Sequence, residues 1–336
     1  MGKKQILYVV NPRSGVGRKN TIENEIKERT DSSKIDFEII HTTHRGHATE
    51  IAAKSRDQID AVIAVGGDGT VNEVGNGLLG SSTAMGIIPC GSGNGLAREL
   101  DIPLRTSSAI DVINETATRQ IDVLRVGERV SLNVAGIGFD AYISHLFANK
   151  KNRGPLQYIN LIAKEFPAYK PIEYVLDIDG DIFQRKAFLI SFANSSQWGN
   201  NIHIAPNARL DDGLMDVCIV SEFPNMAIPS LVISLLSQSI ENNKYDEMIR
   251  TSHIKLRNSE SLMAHVDGEP IILSPFATIS VEPLALRVVV PPSDFYEGQR
   301  FSPARIREQF INTGEQTFNK VKEHLSEVRQ IFKDGL

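Results

Sequence analysis

Between Gln5 and about Asp122, short apolar runs alternate with segments whose apolar residues recur at helical spacing. That alternation predicts strands and helices taking turns around a parallel sheet. The strands are QILYVV, FEIIHT, AVIAVGG, AMGIIP and a short QIDVLRV, and the helices are TIENEIKERT, ATEIAAKSRD, TVNEVGNGLL and SSAIDVINET. After about Val130 the texture changes. SLNVAGIGF, YVLDIDG, FQRKAFLISFANS, GLMDVCIVS, IKLRN, LMAHVDGEP, TISVEP and ALRVVVPP follow closely, with helical interruptions around 153–166 and 226–250, and predict a mostly antiparallel β-domain. In the tail, Phe318, Val321, Leu325, Val328 and Phe332 step by three and four along one helical seam. This helix is expected to pack on its own subunit, with a homodimer contact or a membrane contact as the alternatives. Residues 1–130 are thus expected to form an α/β domain, 131–290 a β-rich domain, and 291–336 a return segment ending in an amphipathic helix.

Composition narrows the partners. The chain has 336 residues, 41% of them hydrophobic, which is enough for two cores. A net charge of -5 and a pI near 5.9 provide no basic field, so no nucleic-acid partner is expected. Cys90 and Cys218 sit in unrelated apolar settings, which predicts neither a disulfide framework nor a cysteine metal site and fits a cytoplasmic protein. The opening MGKKQILYVV is cut short by Asn11 and Pro12 and reads as a first strand, not a leader. The uncharged segment 223–240 is interrupted by prolines and serines, so a peripheral membrane contact is expected there, not a span.

The chemistry gathers at glycine-rich turns. In AVIAVGGDGTVNEV an apolar run meets Gly66, Gly67 and Gly69, then a helix for which Thr70 is a candidate cap. Free backbone N–H groups and the helix dipole attract an anion at such a turn, and glycines let a phosphate approach the main chain. Asp68 would repel polyphosphate unless a cation lay between them, so it is a candidate Mg²⁺ ligand; a tight turn capped by the aspartate is the structural alternative. Two more such turns, NPRSGVG and PCGSGN, follow other strands, and strand C-termini share one edge of a parallel sheet, where ligands bind.

Taken in order, NPRSGVGR, GGDGTVNEVGNGL, PCGSGNGLAR, GIGFDA, APNARLDDGLMDV and VDGEP resemble the diacylglycerol kinase catalytic-domain family, from about Lys4 to about Pro291. That family includes soluble bacterial lipid kinases and the sphingosine and ceramide kinases. The resemblance implies transfer of the ATP γ-phosphoryl group to a lipid hydroxyl, in a cleft between an α/β nucleotide domain and a β-sandwich lipid domain. It implies nucleotide contacts at Asn11, Ser14, Gly15, Gly17 and Thr42. The same role extends over Gly66, Gly67, Asp68, Gly69, Thr70, Asn72 and Glu73, and over Gly91, Ser92, Gly93 and Asn94. It places Asp122 near the metal and a structural Mg²⁺ site at Asp212 with the carbonyls of Arg209 and Leu214, a loop that would otherwise be an Asp-Asp-Gly turn. It makes Glu269 the base at the acceptor hydroxyl, with Asp267 as its rival.

Where soluble bacterial diacylglycerol kinases commonly carry an acidic residue after the Asn of the third loop, this chain has Gly95, closer to the sphingosine-kinase style. Diacylglycerol is the expected acceptor, with a sphingoid base or ceramide next. An NAD-kinase-like enzyme and a non-catalytic nucleotide binder remain as alternatives. Lys150, Lys151 and Arg153 are expected to meet anionic lipid.

Overall fold

The structure is a computed structural model and describes residues 2–14, 19–148, 150, 155–199 and 202–295. Gly15, Gly17, Lys151, Arg153 and the tail helix lie outside the described residues. Contacts divide the chain into one unit, Met1–Pro291, and a second, Pro292–Leu336, which lies almost wholly outside them.

The first unit opens with β1 (Lys4–Val10), α1 (Lys19–Arg29), β2 (Ile35–His41), α2 (His47–Ser55), β3 (Ala61–Gly66), α3 (Asp68–Leu78), β4 (Ala84–Pro89), α4 (Gly95–Glu99), α5 (Thr106–Glu115) and β5 (Thr118–Val126). β2, β1, β3 and β4 lie side by side and parallel, with Tyr8 opposite Ile39 and Ile63, and Val65 opposite Ile88. β3 and β4 are buried at every position, which is why they read as unbroken apolar runs and not as alternating ones. Strands and helices fall close to their predicted places. The fifth strand departs from expectation, since β5 runs antiparallel to its neighbours.

The antiparallel part continues with β6 (Arg129–Ser131), β7 (Val134–Gly138), α6 (Phe139–Ala148), α7 (Pro155–Glu165), β8 (Ile172–Ile178), β9 (Asp181–Ala193), β10 (Gln197–Gly199) and β11 (Ile202–His203). It is completed by β12 (Met215–Ser221), α8 (Ile228–Leu236), β13 (Asp246–Thr251), β14 (His253–Arg257), β15 (Leu262–Val266), β16 (Glu269–Leu273) and β17 (Phe276–Val289). The strands close a β-sandwich over Tyr174, Leu176, Phe192, Met215, Ile254 and Leu256.

Three features correct the sequence reading. Helix α6, which was not expected, begins at the last residue of the SLNVAGIGF run, and residues 246–250, expected to be helical, belong to β13, which pairs with β12. The two strands expected at the end are one. β17 pairs with β14 in its first half, bulges between Glu282 and Leu286, and reaches β4 at Val288. It therefore joins the parallel strands and the antiparallel ones in a single sheet.

Candidate active site

The ends of β1, β3 and β4 bring three turns together. Asn11, just past β1, donates its amide to the Val65 carbonyl at 3.0 Å and its side-chain nitrogen to the Thr70 hydroxyl at 2.9 Å. Ser14 closes that turn on the Asn11 carbonyl at 3.1 Å, and Thr42, after β2, donates its amide to Val10 at 2.9 Å. Helix α3 starts two residues before the expected cap. Gly67 takes the cap position in extended backbone, and Thr70 is buried in the first turn. A Cβ on Gly67 would lie 3.2 Å from the Gly91 Cα, so the second and third turns pack main chain against main chain. Asn94 holds the third turn closed through Gly91, donating to its carbonyl at 2.8 Å and accepting from its amide at 2.9 Å. Ser92 lies exposed on the same turn, with Gly93 beside it.

Asp68 faces the third turn. Its carboxylate accepts from the Asn94 amide at 3.0 Å and the Gly95 amide at 2.8 Å, and its Oδ2 lies 3.0 Å from where Gly93 would carry a Cβ. Burial pushes its carboxyl above the usual carboxylate value, the two amides oppose that, and the charge of Asp267 adds to it. The side chain is half-buried, and a nearby positive charge would favour its ionised form.

Glu269 opens β16 and turns toward the phosphate loop, with its Oε1 3.1 Å from where Gly69 would carry a Cβ. Its other oxygen is paired with Arg45, from the loop after β2. Glu73, expected among the nucleotide contacts, caps α2, accepting from the Gly46 amide at 2.9 Å and the Ala48 amide at 3.2 Å. Asn72 donates to Asp267 at 2.7 Å and to the Val130 carbonyl at 2.8 Å, tying α3 to the second half of the chain.

Asp267, the rival base, is fully engaged. Besides Asn72, its carboxylate accepts from the Ser131 hydroxyl at 2.6 Å and from the amides of Leu132, Asn133 and Val134 at 3.0, 3.0 and 3.1 Å. Behind the turn, His265 is buried 3.0 Å from Asp140, and its Nδ1 accepts from the Gly268 amide at 3.3 Å. Two carboxylates two residues apart thus have different work: Asp267 holds the turn and Glu269 is presented by it.

The Diacylglycerol kinase catalytic domain family matches residues 5–126, and the YegS C-terminal NAD kinase beta sandwich-like domain family matches residues 133–290. The chain belongs to the diacylglycerol kinase catalytic-domain family. Proteins named diacylglycerol kinase from Staphylococcus saprophyticus and Staphylococcus aureus are similar to this kinase at 29% identity over 274 residues and 28% over 277. Each alignment covers 80% of this chain, and 89% and 86% of the two relatives. The fold is shared with a solved diacylglycerol kinase structure from Bacillus anthracis str. Sterne, with a TM-score of 0.69 at 22% identity over 87% of this chain and 99% of that one. The family is one of lipid kinases, and the chain is an enzyme of that kind.

In this lipid kinase the remaining predicted metal ligands lie away from the phosphate loop in their bonding. Asp122 is fully buried, and its two oxygens accept from the amides of Gly213 and Leu284, each at 2.7 Å. Asp212 pairs with Arg250 and accepts from the Leu214 amide at 3.1 Å, while the exposed Arg209 leans on Asp211 at 3.4 Å. Each carboxylate oxygen of Asp122 and Asp212 already has a protein partner, as each oxygen of Asp68 does. Among the described residues no three His, Cys, Asp or Glu side chains converge on a cation site.

The residues that sequence spacing missed are the long-range ones. Arg45, Asn133 and the Asn194–Gln197 stretch belong here. Asn133 donates to the Gln197 carbonyl at 2.9 Å and would stand 2.5 Å from a Cβ on Gly95, so any side chain at that position would have to displace the Asn133 amide.

Proposed function

We propose that this lipid kinase transfers the γ-phosphoryl group of ATP to a lipid hydroxyl, with diacylglycerol the first acceptor and phosphatidic acid the product. The observation that carries the reading is the carboxylate of Glu269 over Gly69 at the start of α3, a base at the place where a phosphate would be held. The acceptor oxygen bonds to the γ-phosphorus as the bond to the β–γ bridging oxygen breaks. ADP leaves with that oxygen and its electron pair, and the hydroxyl proton passes to Oε1 of Glu269. The turns at Asn11–Ser14, Gly67–Thr70 and Gly91–Asn94 line the ATP phosphates, and Thr42 borders them. Mg²⁺ held at Asp68 would neutralise charge on the phosphate oxygens.

Turnover takes place at the cytoplasmic membrane surface, because the acceptor lives in a bilayer. Segment 223–240 supports this, since Met226 and Ile233 are 91% and 63% exposed there. Among the described residues no helix is long and apolar enough to cross a membrane.

The test is transfer from γ-labelled ATP to vesicles carrying diacylglycerol, sphingosine or ceramide, beside nicotinamide dinucleotide and no acceptor. Label is expected in phosphatidic acid and is lost with a chelator. Label in the dinucleotide product alone, or in no product, would contradict the proposal.

A further inference from the structure

Arg45 stands in the loop between β2 and α2, 224 positions from Glu269 in sequence, yet its guanidinium meets the Glu269 carboxylate. The loop is not free to choose that position. Gly46 follows with φ +85, the left-handed turn that sends the chain into α2, and Glu73 on α3 accepts the amides of Gly46 and Ala48. Gly69 and Glu73 are one helical turn apart on α3, so the helix that begins at the phosphate loop also fixes the segment carrying Arg45.

The pairing uses one guanidinium nitrogen, Nη2, on one carboxylate oxygen, Oε2. The other oxygen is the one near Gly69. A guanidinium has five N–H donors in a planar fork suited to phosphate oxygens, and the remaining donors of Arg45 meet no acceptor among the described residues. Its side chain is 71% exposed and that of Glu269 is 46% exposed, so this is a solvated ion pair whose cation can engage a second anion at small cost.

We propose that Arg45 is a catalytic residue of the transfer reaction, one that bridges Glu269 and the migrating phosphoryl group. One edge of its guanidinium keeps Oε1 turned to the acceptor hydroxyl, and the free donors bind γ-phosphoryl oxygens as charge spreads over them. This rests on the kinase reading above; no bond forms or breaks at Arg45 itself. The chemical reason for an arginine is the double task, since an ammonium is a point charge and cannot present two parallel edges.

The experiment measures kcat and ATP affinity for full-length parent, Arg45→Ala, Arg45→Lys, Glu269→Gln and Arg45→Ala/Glu269→Gln, with γ-labelled ATP, Mg²⁺ and diacylglycerol vesicles. Thermal melts check folding. A parent protein that phosphorylates no acceptor would defeat the kinase reading itself. With an active parent, Arg45→Ala is expected to lose about 100-fold or more in kcat, with ATP affinity changed less than about threefold. Low millimolar guanidinium should restore about tenfold or more of that loss, and the double variant should fall about tenfold below Glu269→Gln. If Arg45→Ala does not fold, Arg45→Lys decides: a loss of about tenfold or more supports the inference. Parent-like kcat in either variant, or a double variant no slower than Glu269→Gln with no guanidinium rescue, would overturn it and leave Arg45 a mere prop for the carboxylate.

Discussion

Asp246 shows how a single buried carboxylate writes itself into the pH dependence of stability. Its Oδ1 accepts from the Cys218 thiol at 2.8 Å, while Oδ2 is buried with no partner among the described residues. Burial pushes its carboxyl up to about 6, partly offset by the thiol and reinforced by Glu241 and Glu247. The folded state therefore binds this proton more tightly than the unfolded one, so its contribution is fully present at low pH and is lost as pH rises from about 4 through about 6. Asp246→Asn should gain about 1–3 kcal/mol at pH 8 and nearly nothing at pH 4, read as a difference in Tm between variant and parent that shrinks with acid. An equal Tm shift at both values would contradict the assignment.

The two carboxylates of the VDGEP turn make a second contrast at the same scale. Asp267→Ala strips a shared acceptor from five donors and should cost about 3 kcal/mol or more, whereas Glu269→Ala, half-exposed, should stay within about 0.5 kcal/mol. Chemical denaturation of both variants checks this, and equal costs would refute the division of labour. Glu269 was legible because it sits in a recognisable string beside the turn. Arg45 was not, because an ion pair between residues 45 and 269 leaves no periodicity or spacing to read. The inward turn of Asp68 was equally hidden, since it depends on amides at Asn94 and Gly95 in another loop.

At the scale of elements, α2 and α3 act as one piece. Glu73 supplies the cap that the N-terminus of α2 lacks locally, where Gly46 offers no side chain. Glu73→Ala should cost about 1 kcal/mol in stability and should also lower kcat, because the loop that carries Arg45 loses its anchor. Stability loss with unchanged kcat would separate the cap from the site. The elements themselves were largely readable where burial imposes a single pattern: β3 and β4, buried on both faces, stand out as apolar runs. β13 was missed because its residues are mostly half-exposed, so DEMIRT shows no clean alternation. The break read between TISVEP and ALRVVV is a bulge, and Leu284 at its centre adopts φ 49 while its amide is held by Asp122.

For the whole molecule, the site is a place where distant parts meet. The Gly66–Thr70 turn comes from the parallel strands, Glu269 from the antiparallel ones, and β17 runs through both. Asn72 on Asp267 and Arg45 on Glu269 cross the same divide. The two-part layout was visible as a change of texture near Val130, but the continuity of the sheet depends on pairings such as Val288 with Met85 that no local pattern announces. The account stands on Glu269 receiving the acceptor proton. The most direct measurement is kcat for phosphatidic acid formation by Glu269→Gln, with ATP binding and a thermal melt taken on the same preparation. The account predicts a fall of about 100-fold to 10,000-fold in kcat with ATP affinity and Tm close to the parent. A folded Glu269→Gln protein that binds ATP and turns over at the parent rate would contradict it.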